Sequence, residues 1–316
     1  MFWNTLNGLP PRIIAHRGAS GHRPEHTLPA YALAVAQGAD AVEPDLVASR
    51  DGVLYARHDV GLARSTDIAV RAEFAARARV IDGVRDWWIF DFDAGEIDSL
   101  RATQPMAGRS AQFDRQFGVP RFAQLLDFAG RENAQRETPI VIDAEIKDPA
   151  VFRERGIDVL NALAMDLEAQ GMVGPQAPVW LESFDHRFLR DAFERCGNPC
   201  FALLEHRPDA VTLDELAGWV RGIAPAKHLL WQGDGLDSGL VDAAHARGLE
   251  VHAWTFREDH SPAPFASVRD EMHTALALGV DALFCDFPDA AAAARANYAV
   301  SAQRSANRPT TAAPRA

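Results

Sequence analysis

The chain has 316 residues, 47% of them hydrophobic and 24% charged. That is enough apolar material for a sizeable core and lies outside the composition of disordered or fibrous chains. Its length means one large globular domain or two small ones. The 32 Lys and Arg against 44 Asp and Glu give a net charge of −12. This argues against a general nucleic-acid binder and against a polybasic membrane-surface protein, so an anionic ligand must be met by local cations or a metal.

Apolar runs such as Ala275–Val280 fall far short of the ~20 residues a membrane-spanning helix needs, so no stable membrane insertion is expected. The opening Met1–Gly8 has no basic start followed by an apolar stretch. A cytoplasmic location is therefore expected, with a periplasmic one open if the start is trimmed or misplaced. Cys196, Cys200 and Cys285 cannot all pair within one chain, and neither a disulfide nor a metal site is expected of them. Nothing here sets the oligomeric state.

Short β-branched or apolar runs alternate with longer amphipathic ones, the pattern of a parallel sheet with crossover helices. Strands are expected over Arg12–His16, Ala41–Val47, Ile140–Ile146, Pro178–Ser183, Cys200–Leu204, His228–Trp231, Glu250–Thr255 and Ala282–Cys285. Helices are expected over Thr27–Gln37, Ala150–Gln170, His186–Cys196, Leu213–Arg221, Ser238–Arg247, Pro264–Leu278 and Asp289–Tyr298. The α/β alternation predicts a closed (β/α)8 TIM barrel, here a domain over 1–299. After the second strand, Arg50-Asp51-Gly52 signals a turn and Val53–His58 a returning hairpin strand. Residues 60–112, rich in Arg and carrying Trp87-Trp88, then read as an insertion, and 300–316 as a disordered tail. Without those two segments the chain is close to the ~250 residues typical of a bare barrel.

In such a barrel the chemistry gathers at the C-terminal ends of the strands. The first strand ends in His16-Arg17-Gly18, the second contains Glu43-Pro44-Asp45, the hairpin ends in His58-Asp59, and the third ends in Glu145-Ile146-Lys147. Alternation puts Glu43 and Asp45 on one face, and Glu145 and Lys147 likewise. Converging carboxylates repel unless a cation sits among them, and all-oxygen ligation by Glu43, Asp45 and Glu145 suits one divalent Mg²⁺ or Ca²⁺. The plainer alternative is a set of Glu–Lys and Glu–Arg salt bridges at a barrel rim. It suits any one of these residues alone; the whole set on neighbouring strand ends favours the metal. His16 and His58 are the natural proton carriers, and Arg17 and Lys147 point to a phosphate ester. His22, His26, His186, His206, His228, His245, His260 and His273 read as structural, and His252 stays open.

Five motifs resemble the glycerophosphodiester phosphodiesterase family. They are His16-Arg17-Gly18-Ala19-Ser20-Gly21, Arg23-Pro24-Glu25-His26-Thr27, Glu43-Pro44-Asp45-Leu46-Val47, His58-Asp59 and Glu145-Ile146-Lys147. Glu182-Ser183-Phe184-Asp185, Ala253-Trp254-Thr255-Phe256 and Asp286-Phe287-Pro288 agree with them. The long insertion and Pro-Glu-His-Thr most resemble the bacterial periplasmic branch. Glu182 departs from the Gln many relatives carry there. The resemblance implies metal-dependent hydrolysis of a small glycerophosphodiester to sn-glycerol 3-phosphate and an alcohol. It implies Glu43, Asp45 and Glu145 as metal ligands, His16 and His58 as acid and base, Arg17 and Lys147 on phosphate, and Trp254 as an apolar wall. Two alternatives remain: a lysophospholipase D-like enzyme on the same barrel, needing an apolar groove, and a non-catalytic barrel binding phosphorylated ligands. The insertion leaves the barrel beside the mouth, where Trp87-Trp88 could roof the pocket or serve only stability.

Overall fold

The computed structural model describes residues 3–306 except 234, 261 and 262, and only the backbone of 302–306. Its strands are β1 (Arg12–His16), β2 (Ala41–Glu43), β3 (Asp45–Ala48), β4 (Leu54–Ala56), β5 (Arg79–Ile81) and β6 (Val84–Asp86). β7 (Val141–Ile146), β8 (Val179–Ser183), β9 (Cys200–Leu204), β10 (Gly222–Pro225), β11 (Glu250–Phe256) and β12 (Ala282–Cys285) follow. Parallel pairing runs β1–β2–β7–β8–β9–β10–β11–β12, and β12 returns to β1 with Ala282 opposite Arg12 and Cys285 opposite Ala15. The sheet closes on itself, so the predicted (β/α)8 TIM barrel is borne out.

The second barrel strand is split at Pro44, which has no N–H to give the ladder. β2 meets β7 at Ala41–Val141, and β3 resumes the pairing at Asp45–Glu145. The barrel interior is filled by Ile14, Ala41, Trp180, Phe201, Leu203, Ala224, Ala282 and Phe284, a cluster separate from the larger one between strands and helices. Strands buried on both faces explain why the barrel runs read as continuously apolar.

The sixth barrel strand is not His228–Trp231 as expected but Gly222–Pro225; residues Lys227–Leu229 form a single 3₁₀ turn. Gly and Pro disguise this strand, while the apolar run after it owes its character to packing, with Leu230 buried and Trp231 edge-on to Phe265. Gly222 is required there: a Cβ would stand 2.4 Å from the Glu250 carbonyl oxygen and 2.7 Å from the Phe201 ring. Gly222→Ala should therefore lower stability by about 1–3 kcal/mol through overpacking, read as a fall in the urea midpoint.

The helix expected over 150–170 is two, Pro149–Arg153 and Val159–Ala169. Gly156 lies at φ +72° between them, and the Asp158 side chain caps the second by accepting from Asn161 N–H at 3.0 Å. The crossover from the second barrel strand, Phe122–Asn133, was not expected, although Phe122, Leu125, Leu126 and Ala129 give it a buried helical stripe. The last helix, Pro288–Ala306, continues through residues 300–306, contrary to the disordered tail expected from 300 onward; the remainder, 307–316, lies outside the described residues.

Between β4 and the helix Phe122–Asn133 the chain forms short 3₁₀ turns, the β5–β6 hairpin and the helix Ala94–Asp98. Phe74, Trp87, Trp88, Ile89, Phe90 and Phe92 are buried in this segment, with Phe90 edge-on to Phe152 of the barrel. The indole N–H groups donate to the Phe74 carbonyl at 2.6 Å and the Arg79 carbonyl at 3.0 Å. Trp87-Trp88 thus form the segment's own core and do not roof the pocket. No described helix is long and apolar enough to cross a membrane. The three cysteines are buried and unpaired.

Candidate active site

At the C-terminal end of β1 the chain turns sharply: Arg17 sits at φ +60° and Gly18 at +81°. A left-handed Arg costs on the order of 1–2 kcal/mol and persists only where its surroundings hold it. Here Arg17 N–H donates to Glu43, to its carbonyl at 3.0 Å and its carboxylate at 2.7 Å. A Cβ on Gly18 would meet Ala30 at 2.8 Å, so the loop also needs a glycine to lie against the helix Leu28–Ala36.

Glu43, Asp45 and Glu145 are buried and offer oxygens that all lie within 4.8 Å of one another. Asp45 is surrounded by cations and donors: Lys147 Nζ at 3.1 Å, Arg17 Nε at 3.2 Å and His26 Nε2 at 2.8 Å. Glu145 pairs with Lys147 Nζ at 2.7 Å. The Glu43 carboxylate receives only the Arg17 backbone N–H among the described residues. Burial raises Asp45, but Lys147 and Arg17 overcome it and hold the carboxyl well below its usual range. Burial and the charge of Asp45 push Glu43 well above, against Arg17. Salt bridges are therefore present, yet two cations serve three carboxylates: burial lifts Glu145 to about 8 despite Lys147, and no cation pairs with the Glu43 carboxylate among the described residues. A hard divalent cation would fit this all-oxygen donor set and supply the missing charge.

Each histidine is backed by a carboxylate. His16 Nδ1 lies 2.6 Å from Asp286, and His58 Nδ1 lies 2.6 Å from Asp59. Burial, with Arg17 beside it, lowers the His16 imidazole to about 4 against the pull of Asp286. The ring is neutral at neutral pH, Nδ1–H donates to Asp286, and Nε2 remains as the proton acceptor. Despite burial, His58 and then Arg64 hold Asp59 well below its usual range, so it too is a carboxylate. Arg57 N–H donates to the Asp45 carbonyl at 2.8 Å, so His58 follows directly on the strand end paired with that of Asp45.

The structure brings Arg17, Glu43, Asp45, Glu145 and Lys147 into one network, with His16 opposite Glu43 on the neighbouring strand and His58 outside the network, bonded to Asp59. Arg17 is more engaged than a free phosphate fork: Nη1 donates to Glu25 at 3.0 Å and Nε faces Asp45, leaving Nη2 without an acceptor among the described residues. Trp254 joins through Phe184, edge-on at 5.8 Å, whose ring lies 5.9 Å from Lys147 Nζ and is 46% exposed. Glu182, opposite Glu145 in the ladder, is buried with Oε2 unpartnered. Burial, then Asp143 and Glu43, push it well above the usual range. A neutral Glu is isosteric with Gln, which makes the departure at this position conservative in hydrogen bonding.

Sequence reasoning quoted Asp286, Asp59 and Phe184 within its motifs but gave them no role at the site. Asp286 ends the last barrel strand, where the strand-end rule applies as it does to His16. His26 keeps the structural role expected of it, but at the site, clamping Asp45 and accepting or donating to Tyr31 Oη at 2.9 Å. His252 lies deep in the barrel, stacked on Phe201 at 4.0 Å. A cavity of about 630 Å³ at the other end of the barrel, around Arg12, Asp40 and Glu250, touches none of these groups.

A barrel carrying a buried acidic triad, two carboxylate-backed imidazoles and an Arg–Lys pair defines a site for cleaving phosphate esters. Residues 16–290 match the glycerophosphoryl diester phosphodiesterase family, and the chain belongs to that family of enzymes. It is 28% identical to the Arabidopsis thaliana glycerophosphodiester phosphodiesterase GDPD6, over 88% of this chain and 84% of that protein. It is also 28% identical to a Haemophilus influenzae glycerophosphodiester phosphodiesterase, over 88% and 87%. Among solved structures, a glycerophosphoryl diester phosphodiesterase from Silicibacter pomeroyi superposes with a TM-score of 0.71 at 24% identity, covering 94% of this chain and 98% of that one. An Oleispira antarctica phosphodiesterase in complex with the product sn-glycerol-3-phosphate gives 0.68 at 22%, covering 92% and 98%. Both share the fold.

Proposed function

We propose that the chain hydrolyses small glycerophosphodiesters to sn-glycerol 3-phosphate and an alcohol, with one Mg²⁺ or Ca²⁺ held by Glu43, Asp45 and Glu145. The observation that carries this reading is the pair of imidazoles, His16 and His58, each oriented by a carboxylate on Nδ1 beside the acidic triad. When bound, the cation supplies positive charge to the phosphoryl oxygens. Arg17 Nη2 and Lys147 hold the phosphate, and Phe184 with Trp254 flanks the glycerol carbons. One imidazole takes a proton from the attacking hydroxyl, of water or of the substrate glycerol. The oxygen of that hydroxyl bonds to phosphorus as the P–O bond to the alcohol breaks, and the other imidazole gives a proton to the departing oxygen; the cyclic phosphate that a glycerol hydroxyl would form is then opened by water to sn-glycerol 3-phosphate.

The lysophospholipid alternative needs an apolar surface at the mouth. Its candidates Trp87, Trp88, Ile89 and Phe90 are buried, and Trp3 is stacked on Tyr298 at 5.5 Å; Phe2 lies outside the described residues. A non-catalytic barrel would be expected to have lost a histidine or a ligand carboxylate, and all are in place. The test is a panel of glycerophosphodiesters and lysophospholipids assayed with and without chelator. The expected result is turnover of small water-soluble diesters that stops in chelator, with lysophospholipids at least ~10-fold poorer in kcat/KM. Preferred lysophospholipid turnover, or full activity in excess chelator, would overturn the reading.

A further inference from the structure

The return limb of the insertion reaches the acid/base machinery from outside the barrel. Arg109, its side chain only 4% exposed, donates to Asp286 at 2.6 Å, the carboxylate that holds His16 Nδ1. Its other edge is bidentate on Asp259 at 2.7 and 3.1 Å, and its guanidinium lies 5.2 Å from the Phe287 ring. The result is one line of charge-assisted hydrogen bonds, Asp259–Arg109–Asp286–His16, half-exposed at Asp259 and buried from the Arg109 side chain inward. The same limb holds the loop after β1. Gln104 Nε2 donates to the carbonyls of Ser20 at 3.1 Å and Arg23 at 3.3 Å, and Ser20 Oγ donates to the His16 carbonyl at 2.9 Å.

Resting on the activity proposed above, we infer that Arg109 is a positioning residue for hydrolysis: it fixes Asp286, and through it the tautomer and aim of His16, so that the insertion completes the active site and does not cover it. Arg109 is too buried to meet substrate, so its contribution falls on the chemical step and not on binding. A carboxylate shared by one imidazole and two guanidiniums, Arg109 and Arg257 at 3.0 Å, can accept only along fixed directions. Removing the shorter, fully buried of these ion pairs frees Asp286 to rotate. Fork geometry matters here, and Lys, as a point charge, restores the charge but only one hydrogen bond.

The experiment measures kcat, KM and the downfield ¹H resonance of the His16 Nδ1–H, assigned by its absence in His16→Ala, in the metal-loaded full chain. Arg109→Gln is expected to lower kcat by about 10- to 100-fold with KM nearly unchanged, and to shift or broaden that resonance. Arg109→Lys should recover a large part of kcat. Asp259→Asn, which loosens Arg109 from a half-exposed site without burying a charge, should fall between and serves if Arg109→Gln does not fold. Wild-type kcat in both Arg109→Gln and Asp259→Asn would overturn the inference. So would a loss of kcat that leaves the His16 resonance untouched and is no better in Arg109→Lys. The resonance is read without turnover, so a wild-type chain that shows it but cleaves no glycerophosphodiester counts against the proposed activity, not against the Arg109 contact.

Discussion

Glu43→Gln is expected to abolish divalent-cation binding and lower turnover by more than about 10³-fold while leaving the barrel folded. Lys147 and Arg17 turn toward Asp45 and Glu145, and among the described residues the Glu43 carboxylate meets only a backbone N–H. An amide keeps that hydrogen bond, because its carbonyl still accepts from Arg17 N–H. What it cannot do is become an anionic ligand. Replacing a buried, unpaired carboxyl by its neutral isostere costs the metal-free fold nothing or stabilises it by about 1–2 kcal/mol. The variant should thus melt at or above the metal-free wild type, and unlike the wild type gain nothing from added cation. The sign of the pH effect follows. Burial holds Glu43 well above its usual range and Glu145 up at about 8 in the metal-free site, which favours protonated carboxyls that binding must deprotonate. Affinity should rise with pH, with net proton release on cation binding at pH 7, measured calorimetrically in buffers of different ionisation enthalpy. Equal cation affinity in Glu43→Gln and wild type would remove Glu43 from the ligand set.

The residues of this centre were legible because the barrel rule and strand alternation work locally. A Glu-Pro-Asp at one strand end and a Glu-x-Lys at the next converge in any closed parallel barrel, and Asp45 does stand opposite Glu145. What escaped depends on packing between distant segments. Arg109 meets Asp259 and Asp286 across 150 and 177 residues from a stretch without regular structure, so no periodicity marks it. The sixth strand escaped because Gly222 was chosen to clear Phe201 and Glu250, and that clearance erases the apolar signal a strand usually carries. Trp87-Trp88 misled in the opposite direction. Their position near the mouth in sequence suggested a roof, but two indoles bury too much apolar surface to be left over water when a core is at hand.

His16→Ala and His58→Ala should each lower kcat by about 10²- to 10⁴-fold, and the double variant should lose far less than the product of the two. The expectation rests on their matched surroundings: a carboxylate 2.6 Å from Nδ1 fixes each ring, so that Nε2 is the working atom in both. Their environments then separate the roles. His16 is mostly buried beside Arg17 and neutral, with its pKa down at about 4, which suits an acceptor ready before the reaction begins. His58 is more exposed, its side chain at 30%, beside an Asp59 that also holds Arg64 at 3.1 Å. We assign it the role of the acid. If His58 is the acid, a substrate whose alcohol is a good leaving group, such as a nitrophenyl ester of glycerol phosphate, needs no protonation there. His58→Ala should then recover most of its activity on that ester, while His16→Ala should not. Rescue of His16→Ala in place of His58→Ala would exchange the two roles. Near-normal turnover of natural diesters by both single variants would show that neither imidazole carries the proton.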